Sequence, residues 1–297
     1  MDSARKRTPT EIVLIILAVL SAAALLTVSL LSLPYFGMAS EDPEDPQLNL
    51  EDPETPTEQD STEPQEPTLP PPQANPYGRF DFQYNENNYL TCLAGDSVNG
   101  IDVSYHQKEI DWEQVSQAGI EFAIIRVGYR GYGKAGRLVE DEYYKQNIEG
   151  ALAAGLDVGV YMFSQAVTPE EAEEEAKFLL ERIKDYDITM PVVYDWEQVE
   201  AEDARTNNMD ARTLTDCTIR FCQTIEEAGY DAMIYFNRNQ GANLLYLEEL
   251  TEYPFWLAAY TDRMPYPYRV EIWQYTDRGR VPGIEGNVDI NVMFFYG

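Results

Sequence analysis

The chain has 297 residues, with 52 Asp and Glu against 21 Lys and Arg and a net charge of −31 at pH 7. This length suffices for one large domain or two ordinary ones. A surface so acidic repels nucleic acid and anionic lipid headgroups, so neither is expected as a partner.

With one histidine, His106, and no CxxC or HExxH motif, we expect no metal and no cofactor. Cys92, Cys217 and Cys222 are too sparsely spaced for a disulfide framework, and we interpret them as small buried residues.

The first 33 residues have the pattern of a membrane anchor. Residues 1–11 contain the basic cluster Arg5-Lys6-Arg7, and residues 12–33 form an uncharged apolar run of 22 residues. That run is long enough for a transmembrane helix, whereas a secretory signal has only ~7–15 apolar residues. Because basic flanks stay in the cytoplasm, we expect a single-pass cell membrane protein with everything after Leu33 outside the cell. The alternative is a long signal peptide cleaved after Ala39.

Residues 34–76 form a linker that is rich in proline and acid. The segment contains eleven prolines and eleven acidic residues, without Lys or Arg. Such a sequence cannot bury enough apolar surface to fold, so we predict a disordered, extended stalk. Residues 77–98 follow as a lead-in of weak strand or loop character. The remaining charge, −21, lies on residues 77–297.

From residue 99 onward, short β-rich apolar runs alternate with helical segments. Residues 123–127 and 191–194 are nearly all apolar, without the alternation of a half-exposed strand, which is typical of parallel strands covered on both faces. Eight strands with intervening helices in about 200 residues predict an irregular α/β barrel of the (β/α)8 type over residues 99–297. The predicted strands are 100–104, 122–128, 158–164, 191–197, 232–237, 255–260, 271–276 and 288–294. The predicted helices are 112–118, 141–154, 169–186 and 213–228.

Four acidic residues lie on predicted strands at positions where barrel enzymes carry their reactive groups: Asp102, Asp195, Glu197 and Asp289. Asp195 and Glu197 are two residues apart on one strand, so both side chains point to the same face. Two crowded carboxylates cannot both ionise easily, so the pKa of one should rise. A protonated acid beside a charged carboxylate is the pairing that glycosidic cleavage requires. These four acids are therefore the candidate catalytic residues.

Aromatic side chains on the predicted strands indicate a carbohydrate-binding cleft. Sugar rings present flat C–H faces that stack on aromatic rings, although ordinary barrel packing is the alternative for any one of these residues. We expect Tyr194 to face away from Asp195 and Glu197, and His106 to brace the first loop. The candidate substrate-binding residues are Tyr161, Tyr235, Trp256, Tyr260, Trp273, Gln274 and Arg126.

A series of short motifs runs in a fixed order from residue 99 to the C-terminus. They are Gly100-Ile-Asp-Val-Ser with Gln107 and Ile110-Asp-Trp, then Phe122-Ala-Ile-Ile-Arg-Val-Gly, Gly159-Val-Tyr-Met-Phe-Ser-Gln-Ala, Pro191-Val-Val-Tyr-Asp-Trp-Glu, Phe255-Trp-Leu-Ala-Ala-Tyr and Ile272-Trp-Gln-Tyr-Thr. Each motif is modest alone, but the ordered set is specific. It resembles glycoside hydrolase family 25, the Chalaropsis-type lysozymes.

The resemblance implies an N-acetylmuramidase on an irregular β/α barrel. Such an enzyme hydrolyses the β-1,4 bond between N-acetylmuramic acid and N-acetylglucosamine in peptidoglycan. The resemblance assigns the proton donor to Glu197, the second carboxylate to Asp195, and further site acids to Asp102 and Asp289. The chain departs from the family at Met162, where an aromatic residue or histidine is common, and we expect this change to reshape a sugar subsite. The expected partners are peptidoglycan glycan strands and the cell membrane, and the chain is expected to be a monomer.

Other interpretations stay open on the sequence alone. A chitinase-like barrel also has an Asp-x-Glu strand motif, but that motif carries further aspartates where this chain has Met190 and Val193. A non-catalytic barrel that binds wall glycan would be supported by loss of Asp195 or Glu197, and both are present. A polysaccharide deacetylase needs histidine metal ligands that a chain with one histidine cannot supply. The sequence does not decide among retention, inversion and a substrate-assisted route through the sugar's acetamido group.

Overall fold

The computed structural model describes residues 69–296, and the predicted anchor and most of the predicted linker lie outside the described residues. The strands are β1 Phe82–Tyr84, β2 Leu90–Cys92, β3 Ser97–Val103, β4 Phe122–Arg130, β5 Leu138–Glu140, β6 Asp157–Ser164, β7 Val192–Trp196, β8 Ala232–Asn237, β9 Phe255–Ala258, β10 Ile272–Gly279 and β11 Val288–Phe294. The α-helices are α1 Trp112–Gln117, α2 Tyr144–Ala153, α3 Pro169–Ile183, α4 Ala211–Glu227 and α5 Arg238–Asn243.

Eight strands close into a barrel, which confirms the predicted α/β architecture. Their order around the barrel is β3, β4, β6, β7, β8, β9, β10 and β11, and β11 pairs again with β3. The first seven strands run parallel to one another, whereas β11 is antiparallel to both of its neighbours. All eight predicted barrel strands are present. The hairpin β1–β2, strand β5 and helix α5 are additional to the prediction.

The antiparallel direction of β11 follows from the length of the preceding loop. Only residues 280–287 separate β10 from β11, whereas a parallel crossover needs a dozen or more residues. The chain therefore turns back, and β11 starts at the edge of the barrel where the parallel strands end. Asp289 lies near this start and pairs in register with Asp102 near the end of β3. The reversed strand thus delivers its acid to the same edge as the others.

Side chains alternate between the barrel interior and the outer layer, as strand geometry requires. The lower interior is filled by a cluster of buried apolar side chains that includes Phe122, Ile124, Val193, Met233 and Ile272. Above this layer, towards the C-terminal ends of the parallel strands, the interior positions are polar. The change from apolar to polar side chains along the barrel axis places the candidate site at one end.

The helices of the outer layer begin and end at residues suited to those positions. The side chain of Thr168 caps α3 by accepting a hydrogen bond from the backbone N–H of Glu171, and Pro169 occupies the first helical position. Gly119, Gly155 and Gly229 follow α1, α2 and α4 with φ values of 87°, 80° and 88°. This left-handed conformation favours glycine and ends each helix.

The N-terminal hairpin covers the outer face of β10 and β11. Phe82 on β1 packs edge-on against Trp273, with ring centroids 5.2 Å apart, and against Phe294 at 5.8 Å. The hydroxyl of Tyr275 accepts a hydrogen bond from the backbone N–H of Leu90 at 3.2 Å. The predicted lead-in is therefore part of the outer layer, where it covers the face of β10 and β11 that a helix would otherwise cover.

Residues 69–76, which the sequence places in the linker, also contact the barrel. Ala74 forms an antiparallel bridge with Tyr268. The backbone N–H of Arg269 donates to the carbonyl of Gln73 at 2.8 Å. The boundary predicted between linker and folded domain therefore lies too far towards the C-terminus, because backbone pairing orders the end of the proline-rich segment.

Two further expectations concern the anchor and the cysteines. The apolar run of residues 12–33 lies outside the described residues, and within residues 69–296 no helix has the length and apolar character needed to span a membrane. Cys92, Cys217 and Cys222 are buried free thiols, which confirms their interpretation as small buried residues. Burial raises the pKa of the Cys222 thiol well above its ordinary value, so it is unreactive.

Candidate active site

A cavity of about 240 Å³ opens where the parallel strands of the barrel end. Its wall contains the four predicted catalytic acids and six of the seven predicted substrate-binding residues, namely Asp102, Asp195, Glu197, Asp289, Arg126, Tyr161, Tyr235, Trp256, Tyr260 and Gln274. A larger groove of about 550 Å³ lies on the outer surface between residues 70–73 and 251–255. It holds none of these acids, so chemistry and not size identifies the candidate site.

Asp195 and Glu197 both face the cavity, as their spacing predicts. Asp195 lies on β7, and Glu197 is the first residue after that strand. Burial, followed by the charge of Glu197, raises the pKa of Asp195 well above its ordinary value. Burial, followed by the charge of Asp102, also raises the pKa of Glu197. Both shifts favour a protonated carboxyl in the pair, which is the state that a general acid needs.

One carboxylate oxygen in the site has no hydrogen-bonding partner. Oδ1 of Asp195 is buried and accepts no hydrogen bond from any residue in the described part of the chain. Leaving a buried acceptor unsatisfied costs roughly 1–3 kcal/mol, so such an atom is usually paired in the working state of a protein. A polar hydrogen from a bound ligand would satisfy this oxygen.

Asp102 and Asp289 form a second acidic pair with unequal proton affinities. Oδ2 of Asp102 accepts hydrogen bonds from Nε2 of Gln274 and from Nδ2 of Asn291, both at 2.8 Å. These bonds oppose the effect of burial, and the pKa of Asp102 rises only to about 6. Burial, followed by the charge of Asp102, raises the pKa of Asp289 to about 9. At neutral pH Asp102 is the charged member of the pair and Asp289 the protonated one.

The two amides behind Asp102 also fix the aromatic wall. Oε1 of Gln274 accepts hydrogen bonds from the hydroxyls of Tyr235 at 3.0 Å and Tyr260 at 3.3 Å. Oδ1 of Asn291 accepts one from Nε1 of Trp256 at 2.8 Å. Burial raises the pKa of Tyr235 well above its ordinary value, so its hydroxyl stays a donor. One connected network therefore holds both the charged acid and the rings around it.

The aromatic residues of the cavity differ in how much surface they offer a sugar. Trp256 is only 2% exposed and packs edge-on against Tyr235, with ring centroids 4.8 Å apart, and against Tyr161 at 6.5 Å. Tyr260 at the rim is 56% exposed. Tyr260 is thus placed to contact a glycan that extends out of the cavity, while Trp256 shapes the inner wall.

Arg126 lies in the cavity wall and is held by a buried acid. Nε and Nη2 of Arg126 lie 2.9 Å and 2.8 Å from Oδ2 of Asp141. The same oxygen accepts a hydrogen bond from the backbone N–H of Tyr105 at 3.0 Å, and the guanidinium lies 4.9 Å from the Tyr105 ring. The sequence places Asp141 at the start of a helix, but α2 begins at Tyr144, and Asp141 anchors the first loop to Arg126.

The first loop is braced by its own polar residues. Ser104 donates its backbone N–H to Oε1 of Gln107 at 3.0 Å, and Nε2 of Gln107 donates to the carbonyl of Asn287 at 3.4 Å. His106 lines the cavity with its ring 4.1 Å from that of Tyr105. Partial burial of its ring lowers the pKa of His106, which favours the neutral imidazole.

Two expectations about the wall are wrong for one geometric reason. Gln274 and Tyr161 face inward, so alternation turns their neighbours Trp273 and Met162 outward. Both Trp273 and Met162 are fully buried in the outer core. Trp273 is therefore not a sugar platform, and Met162 does not reshape a subsite. Tyr194 faces outward by the same rule, as predicted.

Several polar residues behind the cavity escape sequence reasoning. Asn291 lies two residues after Asp289 on the same strand, so the alternation that found the acid also marks the amide. Gln165 and Gln240 hydrogen-bond to the backbone around Glu197. Both lie beyond the ends of their strands, where no periodic pattern assigns them a role, although Gln165 is part of the motif that begins at Gly159.

The fold and the site together define a barrel enzyme with an Asp-x-Glu pair in a cavity lined by aromatic and acidic residues. The family model of glycosyl hydrolases family 25 matches residues 101–284. The chain therefore belongs to this family and is a glycoside hydrolase.

The chain is also similar to individual proteins and to solved structures. The chain is 27% identical over 214 residues to the uncharacterized protein YegX of Escherichia coli K12, covering 67% of this chain and 71% of YegX. It is 25% identical over 199 residues to the autolytic lysozyme of Clostridium acetobutylicum, covering 65% and 55%. It superposes with a TM-score of 0.61 and 26% identity on the modular autolysin LytC of Streptococcus pneumoniae in complex with a synthetic peptidoglycan ligand, covering 72% and 52%. The chain thus spans about half the length of these last two proteins.

Proposed function

We propose that this chain hydrolyses the β-1,4 bond between N-acetylmuramic acid and N-acetylglucosamine in peptidoglycan. The observation that carries the proposal is the pair of buried Asp195 and half-buried Glu197, whose pKa values are both raised, at the wall of a barrel-end cavity. Two relatives support the substrate class, since one is named an autolytic lysozyme and another was crystallised with a peptidoglycan ligand.

Glu197 is proposed as the general acid. Its side chain is half-buried near the charge of Asp102, and both effects favour the protonated form of its carboxyl. It would transfer its proton to the oxygen of the departing sugar as the glycosidic bond breaks. The resulting carboxylate would later take a proton from the water that completes hydrolysis.

Asp195 is proposed to position the substrate's acetamido group. The unpartnered Oδ1 of Asp195 is a ready acceptor for the amide N–H of the N-acetyl group on the sugar that is cut. So oriented, the acetamide oxygen would attack the anomeric carbon while the glycosidic bond breaks, which gives a cyclic oxazolinium intermediate. Burial and the charge of Glu197 raise the pKa of Asp195. The positive charge of the ring would favour the ionised form of Asp195, and this carboxylate would in turn stabilise the ring. Water would then open the ring and yield a product with the original β-configuration.

The role of Glu197 is tested by turbidity loss of peptidoglycan suspensions, with mass spectrometry of the new reducing ends. We expect Glu197→Gln to stay folded by circular dichroism and to lose ~10²–10⁴-fold in rate, since general acid catalysis typically contributes that factor. Glu200→Gln, an exposed acid three residues later, is the matched control and should retain full activity. If folded Glu197→Gln kept more than about a tenth of the wild-type rate, the loss would be smaller than the ~10²-fold minimum expected for a general acid, and the assignment would be contradicted.

The role of Asp195 is tested with altered substrate. If the acetamide takes part, peptidoglycan whose muramic acid has lost its N-acetyl group should bind without being cleaved, and NMR should detect the β-anomer first. Initial formation of the α-anomer would indicate that Asp195 activates water instead. Rapid cleavage of the de-N-acetylated glycan would favour direct attack by Asp195 on the anomeric carbon.

We propose in addition that residues 12–33 anchor the chain in the cell membrane with the barrel outside. The support is the length of the apolar run and the basic Arg5-Lys6-Arg7 cluster before it. Protease added to protoplasts should release a soluble active fragment. Activity that stays protected until the membrane is breached would reverse the orientation, and activity found free in the medium would indicate a cleaved signal.

A further inference from the structure

Glu197 lies just beyond the part of β7 that the sheet holds. The last ladder pairs of β7 join Trp196 to Ser164 on β6 and Asp195 to Tyr235 on β8. Residues within a sheet have their peptide groups fixed by neighbouring strands, whereas a residue after the last pair does not. The orientation of the Glu197 carboxyl must therefore be fixed by other contacts.

Two buried glutamines contact the backbone on either side of Glu197. Nε2 of Gln240 donates a hydrogen bond to the carbonyl oxygen of Trp196 at 2.6 Å. Nε2 of Gln165 donates one to the carbonyl oxygen of Glu197 at 2.6 Å. These two carbonyls belong to the two peptide planes that meet at the Glu197 Cα. Because each plane is rigid, holding both restrains φ and ψ of Glu197 together and thereby the direction of its side chain.

The two amides are themselves held in place. Gln165 is fully buried and Gln240 is 3% exposed, so water does not compete for their polar atoms. Oε1 of Gln165 accepts a hydrogen bond from Oγ1 of Thr206 at 3.2 Å, and Oε1 of Gln240 accepts one from the backbone N–H of Asn237 at 2.7 Å. Turning either amide over would place its oxygen against a carbonyl, so each has one favourable orientation.

We propose that Gln165 and Gln240, here called the amide clamp, are positioning residues for the hydrolytic reaction. They hold the backbone of Glu197 so that its carboxyl stays buried in the cavity, aimed at the oxygen of the leaving sugar. This inference rests on the proposed role of Glu197 as the general acid. Gln165 directly follows β6 and Gln240 lies in α5, which directly follows β8, so the two strands that flank β7 position the clamp.

The clamp is tested in the full chain with Gln165→Met and Gln240→Met. Methionine nearly matches the volume of glutamine, so each substitution removes the N–H donor while the buried site stays filled. Asn99→Leu is the matched control, because it removes a buried amide that donates hydrogen bonds to backbone carbonyls, to that of Leu90 at 2.8 Å and to that of Asn291 at 3.4 Å. Asn99 lies towards the opposite end of the barrel, and the side-chain amide of Asn291 that holds Asp102 is not one of its partners. All three variants should lower the thermal midpoint by similar amounts.

The kinetics should separate the clamp from the control. We expect kcat on peptidoglycan to fall roughly 10–100-fold in each clamp variant, since misplacing a reacting group by about 1 Å can cost 10²-fold. KM should change by no more than about threefold, as the sugar contacts are untouched. The alkaline limb of the pH profile should move to lower pH, because a released Glu197 is less buried and loses the main cause of its raised pKa. Asn99→Leu should leave kcat and that limb unchanged.

A ¹³C NMR titration of the Glu197 carboxyl tests the clamp without turnover. Its pKa should be lower in both clamp variants than in the wild type and in Asn99→Leu. If the wild type did not cleave peptidoglycan, the proposed substrate would be wrong. The Glu197 titration would then be the only test of whether the clamp positions this residue. Clamp variants whose kcat, alkaline limb and Glu197 titration match the control would overturn the clamp. Should a methionine variant fail to fold, Gln165→Asn or Gln240→Asn replaces it, with an amide too short to reach the carbonyl.

Discussion

Phe82 packs the N-terminal hairpin against the barrel, and its replacement by alanine should lower the stability of the folded domain. The ring packs edge-on against Trp273 and Phe294, with centroid distances of 5.2 Å and 5.8 Å. Trp273 is fully buried although it points away from the barrel interior. Removing the Phe82 ring would therefore leave a cavity above Trp273 and admit water to the outer face of β10.

The size of the effect follows from the burial of Phe82. Replacing a fully buried phenylalanine by alanine costs about 3–5 kcal/mol. Phe82 is only partly buried, which lowers this figure, whereas its edge-on aromatic pairs are worth ~0.5–1.5 kcal/mol each beyond the buried area. We expect a loss of about 2–4 kcal/mol in the free energy of unfolding. For a domain of this size each kcal/mol lowers the thermal midpoint by roughly 2–4 °C.

Urea and thermal unfolding followed by tryptophan fluorescence would measure this loss. Phe80→Ala is a matched control two residues away, because Phe80 is 81% exposed. Substituting an exposed side chain usually changes stability by no more than about 0.5 kcal/mol. Equal effects of Phe82→Ala and Phe80→Ala would refute the conclusion that the lead-in is part of the folded barrel.

Two predictions concern the acidic pair at the barrel mouth. Asn291→Asp replaces a donor to Asp102 with a like charge, so the pKa of Asp102 should rise above about 6. The acid limb of kcat/KM should move up by about one pH unit or more, and an unmoved limb in a pH–rate profile would show that ionised Asp102 is not required. The pKa of Asp289 is about 9 in the folded chain against an ordinary 3.8, so the folded state binds its proton more tightly than the unfolded state. Its contribution to stability must then decline as pH rises from about 4 to about 9. The urea midpoint should be lower at pH 9 than at pH 6, and Asp289→Asn should shrink that difference; equal wild-type midpoints would contradict this.

Much of the barrel and the acidic pair could be predicted because both depend on local, periodic signals. The bounds of β8 and β11 agree with prediction to the residue, since each is a compact run of strand-forming residues between turn signals. Asp195 and Glu197 share a face because strand geometry alone decides it. The same rule, applied to Trp273 beside Gln274, would have turned that tryptophan away from the cavity. For Trp273, its position in the strand alternation was therefore a better predictor of where the side chain points than its aromatic character.

Other features depend on contacts between remote parts of the chain. Periodicity identifies β11 but says nothing about its direction, which follows from the short loop before it. Residues 69–76 have the composition of a disordered linker, yet a few backbone hydrogen bonds and the bridge at Ala74 are sufficient to order them. The composition of a segment indicates how much apolar surface it can bury. It does not indicate whether the backbone of that segment will form hydrogen bonds with a surface that is already folded.

The proton affinities of the site belong to the closed barrel and not to any one segment. The amides that keep Asp102 charged lie 172 and 189 residues away along the chain, on β10 and β11. They reach the acid only when β11 docks antiparallel beside β3, and the same step brings Asp289 opposite Asp102. An acid pair is visible in the sequence, but which member carries the proton is decided by neighbours that closure supplies. Closing the barrel and setting the charge of its acids are therefore one structural event, and loss of the last strand would abolish both.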